Sequence, residues 1–165
     1  MKNHRITALV AIVVAFASGQ STQPGGGSSA SLSHPTSAET LQCKLYPDRV
    51  YRFEVTGVSN GISEKQMLLL WIEPVTPRSE IPGWYLQRAP WNGITSFDNT
   101  TGAWEGTGQI GNPRWPPHAS DVLNVAVTVV EAKVAQKLLA EPGVVVRIRL
   151  PGTVADIARN VRVGL

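Results

Sequence analysis

Asp121-Val122-Leu123-Asn124-Val125-Ala126-Val127-Thr128-Val129-Val130-Glu131 is the stretch that decides the fold class. Side chains alternate across an extended chain, so Leu123, Val125, Val127 and Val129 fall on one side and Asn124 and Thr128 on the other. β-Branched residues suit a pleated, half-buried surface better than a helix. The run therefore predicts a long strand lining a core.

Directly after it the period changes. Val134, Ala135, Leu138 and Leu139 recur at helical spacing, and Pro142-Gly143 supplies a stop, which predicts one short helix near 131–141. Val144 to Leu150 alternates again, and Asn160 to Gly164 reads as a final strand. Upstream, Tyr51, Phe53 and Val55 share one face of a strand, and Met67 to Ile72 is apolar on both faces, as in a central strand. Gly83 to Gln87 is a short strand between Pro82 and Pro90. Gly102 to Ile110 alternates, and its Gly106 and Gly108 leave room for a neighbouring aromatic ring or a bulge. Six to seven short strands with one helix predict a mainly β domain, a β-sandwich rather than a barrel.

Three local patterns occur in order: Leu69-Leu70-Trp71-Ile72, then Trp84-Tyr85-Leu86-Gln87, then Gly102-Ala103-Trp104-Glu105 leading to Ile110-Gly111-Asn112. With the valine-rich run Leu123 to Val130, the helical segment Ala132 to Leu139 and Leu150-Pro151, they resemble a poorly characterised group of bacterial extracytoplasmic immunoglobulin-like β-sandwich domains. The resemblance spans roughly Arg49 to Val163 and implies a fold and an envelope location rather than an activity. It departs from disulfide-pinned immunoglobulin domains, because Cys43 is the only cysteine.

The amino terminus has the outline of a signal peptide over residues 1–17. Basic Lys2 and Arg5 precede an uncharged apolar run from Ile6 to Ala17, which closes with Ala15-Phe16-Ala17. That run falls short of the roughly 20 residues a membrane-crossing helix needs. Export to the periplasm or the extracellular space is the expectation, with no transmembrane span after cleavage. Loss of Lys2 and Arg5 takes the formal net charge from +3 to +1, so a nucleic-acid partner, which demands a dense basic stripe, is not expected. Residues 18–40 are rich in Ser, Thr, Gly and Pro and read as a flexible linker; 41–165 is one domain's worth of chain.

Catalytic chemistry is thinly represented. With His4 in the signal and His34 in the linker, His118 is the domain's one histidine, too few for a zinc site or a cysteine–histidine cluster. No Gly-x-Ser-x-Gly elbow is present to expose a nucleophile. No catalytic residue, metal or cofactor is assigned. A carboxylate pair stays open, because Glu73, Glu80, Asp98 and Glu105 flank the tryptophan-rich stretch and sequence does not reveal their separation.

All 5 tryptophans fall between Trp71 and Trp115. Trp71 and Trp104 sit in strand interiors and are expected in the core. Trp91 and Trp115 lie in proline-flanked loops, where a flat exposed indole can cover the apolar face of a sugar while its hydroxyls reach nearby amides. The leading expectation is a non-catalytic envelope module binding a protein or glycan partner, with Trp91, Trp115, Tyr85 and Gln87 near the contact surface. A structural accessory domain and a hydrolase with an unrecognised carboxylate pair are the alternatives.

Overall fold

The computed structural model describes residues 27–75, 82–88, 93–111 and 116–165. The signal-peptide expectation for 1–17 lies outside them. The elements run β1 (Ser29–His34), β2 (Thr40–Gln42), β3 (Lys44–Leu45), β4 (Tyr51–Asn60), β5 (Gln66–Pro74), β6 (Trp84–Gln87), β7 (Gly93–Phe97), β8 (Ala103–Ile110), β9 (Val122–Glu131), α1 (Ala132–Ala140), β10 (Val146–Arg147) and β11 (Thr153–Gly164). They form two sheets. One has the order β1-β4-β8-β7, with β3 also on β4; the other has the order β10-β6-β5-β9-β11-β2. Every pairing is antiparallel except β2 with β11.

β9 is the valine-rich run, paired with β5 on one side and β11 on the other. Its Leu123, Val125, Val127 and Val129 join Phe53, Val55, Leu70 and Trp104 in the core between the sheets. The opposite face is buried as well, where Ala126 and Val130 meet Leu69, Trp71, Leu86 and Leu138 under α1 and the segment that follows it. The two polar residues on that face are hydrogen-bonded, as burial demands. The Trp71 indole N–H donates to Thr128 Oγ1 at 3.0 Å, and the Asn124 amide donates to Glu73 at 2.8 Å. Helix α1 starts directly from β9 and lays Ala135 and Leu138 on this second core.

The glycines of β8 leave room as expected. Phe53 lies directly across from Gly108, and its ring occupies the volume a β-carbon would take. Gly57 does the same for Trp104, whose indole lies flat over it inside the core.

Eleven strands stand among the described residues, against the six to seven expected. β1, β2, β3 and β7 are short and polar, and they are strands only because a long partner offers its edge. β1 falls inside the span expected to be an unstructured linker. Ala30 is buried and Leu32 packs against the core, so two small apolar contacts and the ladder to β4 order a Ser-rich segment that composition alone marks as flexible. The strand expected over 144–150 shrinks to β10, and the one expected over 160–164 extends back to Thr153, because it pairs along β9 across two register shifts.

Gly57→Ala drives a methyl into both the Ser31 carbonyl of β1 and the Trp104 indole, and should cost roughly 1–3 kcal/mol or more. Thermal denaturation read by circular dichroism should show this, while Val58→Ala, on an exposed position of the same strand, should stay within about 0.5 kcal/mol.

Candidate functional site

The flank of the molecule is open where its first strands change sheets. The chain leaves β4 at His34, opposite Thr56, crosses to pair β2 with β11, then returns to β4 at Lys44, opposite Arg52. The opening is a groove of about 330 Å³ lined by Glu39, Gln42, Tyr46, Arg52, Glu54 and Thr107, among others.

Most charges around it are paired within the chain. His34 Nδ1 lies 2.9 Å from Glu39 Oε1, and the other Glu39 oxygen accepts the Thr36 N–H at 2.6 Å and the Thr36 hydroxyl at 3.1 Å. The Thr36 N–H chiefly holds the Glu39 carboxyl below its ordinary pKa; desolvation by burial opposes it, and the Thr36 hydroxyl and then His34 add to the lowering. Arg52, though buried, bonds Asp48 and stacks 4.5 Å from the Tyr46 ring centre. Lys44 and Glu54 approach at 3.8 Å with both side chains exposed. A histidine, a carboxylate and a hydroxyl are thus together, but in the wrong order for nucleophilic catalysis, since the threonine donates to the carboxylate rather than to the imidazole. With these groups spent on one another, Thr40, Gln42, Thr107 and the Tyr46 ring line a polar, near-neutral space.

The residues singled out from sequence do not meet here. Trp91 and Trp115 lie outside the described residues. Tyr85 is half-buried on β6, opposite Ile72 of β5 and Val146 of β10. Gln87 is buried, and its Oε1 accepts the Gln109 N–H of the other sheet at 2.8 Å. Its amide ties the sheets together. Trp71 and Trp104 are core residues, as expected, in separate clusters, and Trp84 is buried in the cluster of Trp71.

The acids considered as a catalytic pair serve separate local roles. Glu73 holds Asn124, and Glu105 accepts from Ser96 at 3.3 Å. Asp98 closes the turn into β8, where the Thr101 hydroxyl first and the Thr100 N–H second hold its carboxyl below the usual range. Glu80 lies outside the described residues. His118 is an exposed loop residue whose N–H is accepted by Asp121. Among the described residues no group of three or more His, Cys, Asp and Glu is placed to hold a metal ion, and no helix is long and apolar enough to cross a membrane.

Reasoning from sequence set His34 aside with the linker and gave Glu39, Tyr46 and Arg52 no functional role. The one local signal was Asp48 four residues before Arg52 across the turn from β3 to β4.

Glu39 contributes stability that is present above its ordinary pKa and lost as pH falls through its lowered folded value. Glu39→Gln should therefore melt below the wild type at pH 7, and the gap should close on acidification through the carboxylate range. A gap constant down to pH 2 would remove this role. Burial pushes the Cys43 thiol up to about 11, so at pH 7–8 the folded chain should react with a thiol reagent far more slowly than the unfolded chain. Comparison with protein-family models, with curated proteins and with solved structures found no match to this chain.

Proposed function

We propose that this chain is an exported, non-catalytic module of the bacterial cell envelope, with an immunoglobulin-like β-sandwich that binds a glycan. Strand order supports the immunoglobulin-like reading. The path β1-β4-β8-β7 follows the A-B-E-D order of that fold, and β6-β5-β9-β11 follows C′-C-F-G. The parallel pairing of β2 with the last strand matches a first strand that switches sheets. The buried Trp71 of β5 faces the helix-covered core rather than the space between the sheets, which is where this chain departs from an antibody-type core. Export rests on the sequence of residues 1–17.

The observation that carries the binding role is the groove's chemistry. Its charged groups are largely satisfied within the chain, while hydroxyl, amide and phenol groups face a space at the small end of the usual range for ligand pockets. Sugars are recognised by such a mix, with an aromatic ring against the apolar face of the pyranose and polar groups around it.

A protein partner is the second reading. Ile148 is 87 % exposed and Val144 76 % exposed, beside the two-residue edge strand β10. An aliphatic pair of this exposure at a sheet edge is a place for a partner chain to cover.

Calorimetric titration of the chain with a panel of neutral and N-acetylated oligosaccharides tests the first reading. Saturable binding that Tyr46→Ala weakens tenfold or more, about 1.4 kcal/mol, is the expected result. Binding indifferent to Tyr46→Ala would move the site off the groove, and the absence of binding across the panel would favour the protein partner.

A further inference from the structure

Among the described residues β10 is the end strand of its sheet, paired with β6 on one side only. The Leu86 N–H donates to the Val145 C=O at 3.0 Å, so Val145 and Arg147 are the residues in bonding register with β6. Val146, between them, lies opposite Tyr85 in a pair of the non-bonded kind and turns its own N–H and C=O away from β6, towards the open edge. A guanidinium guards that carbonyl. Arg147 donates to the Val146 C=O at 2.9 Å through one nitrogen and to Glu141 Oε1 at 2.5 Å through another.

In an extended chain Val144 and Val146 share one face and Arg147 lies on the other. Val144 is largely exposed, and past β10 the chain bends at Ile148 and Arg149, where both side chains stand in solvent. Arg149 has no ion-pair or hydrogen-bond partner among the described residues. Arg88, set against the carbonyls of Glu141 and Gly143, brings a further cation, so the guanidinium groups of Arg88, Arg147 and Arg149 outnumber the carboxylate of Glu141.

The geometry points to an extended segment alternating aliphatic and acidic residues as the partner of this edge, added to the sheet as a further strand. This rests on the protein-partner reading above and is independent of the groove. A strand laid along β10 bonds to the main chain of Val146, and its side chains alternate between the two faces. On the face of Val144 and Val146, aliphatic residues cover surface that otherwise meets water. On the other face a carboxylate finds Arg147 across from it or on the diagonal. A carboxylate is also the group that draws a guanidinium off a neutral carbonyl, because bonds between charged groups are the stronger, and the Val146 C=O is then free for the incoming N–H. Neutral and basic strands lack that exchange. A second copy brings the same arginines to the same edge, and like charges across a strand pair are destabilising.

The test uses three peptides, acetyl-Glu-Val-Glu-Val-Glu-amide and its counterparts with Gln or Lys in place of Glu. Their binding to the full chain is measured by calorimetry, and exchange of the Val146 amide proton is followed in nitrogen-15 correlation spectra. The acidic peptide should bind at least tenfold more tightly than the glutamine peptide and slow Val146 exchange at least tenfold. Arg149→Gln, a change at an exposed position, should weaken the acidic peptide at least threefold. Equal affinity for the three peptides overturns the acidic assignment and leaves the edge as a place for a protein partner. Binding that leaves Val146 exchange unchanged overturns strand addition. Sedimentation showing a dimer of the chain alone, with Val146 protected, gives the edge to a second copy and overturns the proposal. Failure of all three peptides overturns it as well; if the oligosaccharides bind in the groove besides, the protein-partner reading goes with it.

Discussion

The β5–β9 pair is buried on both faces, and the rest of the molecule is arranged to cover it. A strand apolar on both sides needs two partners, since each exposed valine or leucine side chain leaves roughly 1.5–3 kcal/mol of burial unrealised. One face is closed by the β4–β8 sheet through Phe53, Val55 and Trp104. The other is closed locally, by the helix that continues from β9 and by Val145 after it. Trp71 and Thr128 show the cost of such a site: each is fully buried, and each satisfies the other's polar group. Removing either partner alone strands a donor or an acceptor without water.

The two large rings of the inter-sheet core, Phe53 and Trp104, are accommodated by glycines directly opposite them, Gly108 and Gly57. Both pairs are cross-strand neighbours within the β4–β8 ladder, so each ring takes up the space its own sheet leaves over a glycine. Where the first strands change sheets, the crossing segment leaves the edge of β4, and a groove with a largely polar lining results. Fold and candidate site thus have one origin: a first segment too short and too polar to form a continuous edge strand along β4.

Asx and threonine chemistry fixes the segments between the strands. Thr36 and Glu39 fold the crossing segment against His34, and Asp98 with Thr100 and Thr101 fixes the turn into β8. These are local bonds, and they hold loops in place without needing the core. Arg88 does comparable work at longer range, donating to the carbonyls of Leu139, Glu141 and Gly143 at the end of α1, where the helix leaves acceptors unpaired.

Much of this was legible in the chain. Alternation in Asp121 to Glu131, the change of period after it, the apolar run of β5 and the small residues of β8 were enough for a mainly β domain with one helix and two tryptophans in its core. Hydrophobic periodicity is a local property, and long strands carry it in their own residues. The short strands do not. Ser29 to His34 looks like linker because its pattern has only Ala30 and Leu32 to show, and it becomes a strand by borrowing the edge of β4, which lies some 25 residues away in sequence. Gln87 reads as an exposed polar residue and is buried, because its partner Gln109 belongs to the other sheet. The groove is further still from the sequence, since His34, Tyr46, Arg52 and Thr107 share no motif and meet only when the chain changes sheets. The amino-acid sequence by itself determined the class of fold and where its core runs; the tertiary structure alone decided which polar groups are spent on one another and which line the open groove, because hydrogen-bond satisfaction depends on partners distant along the chain.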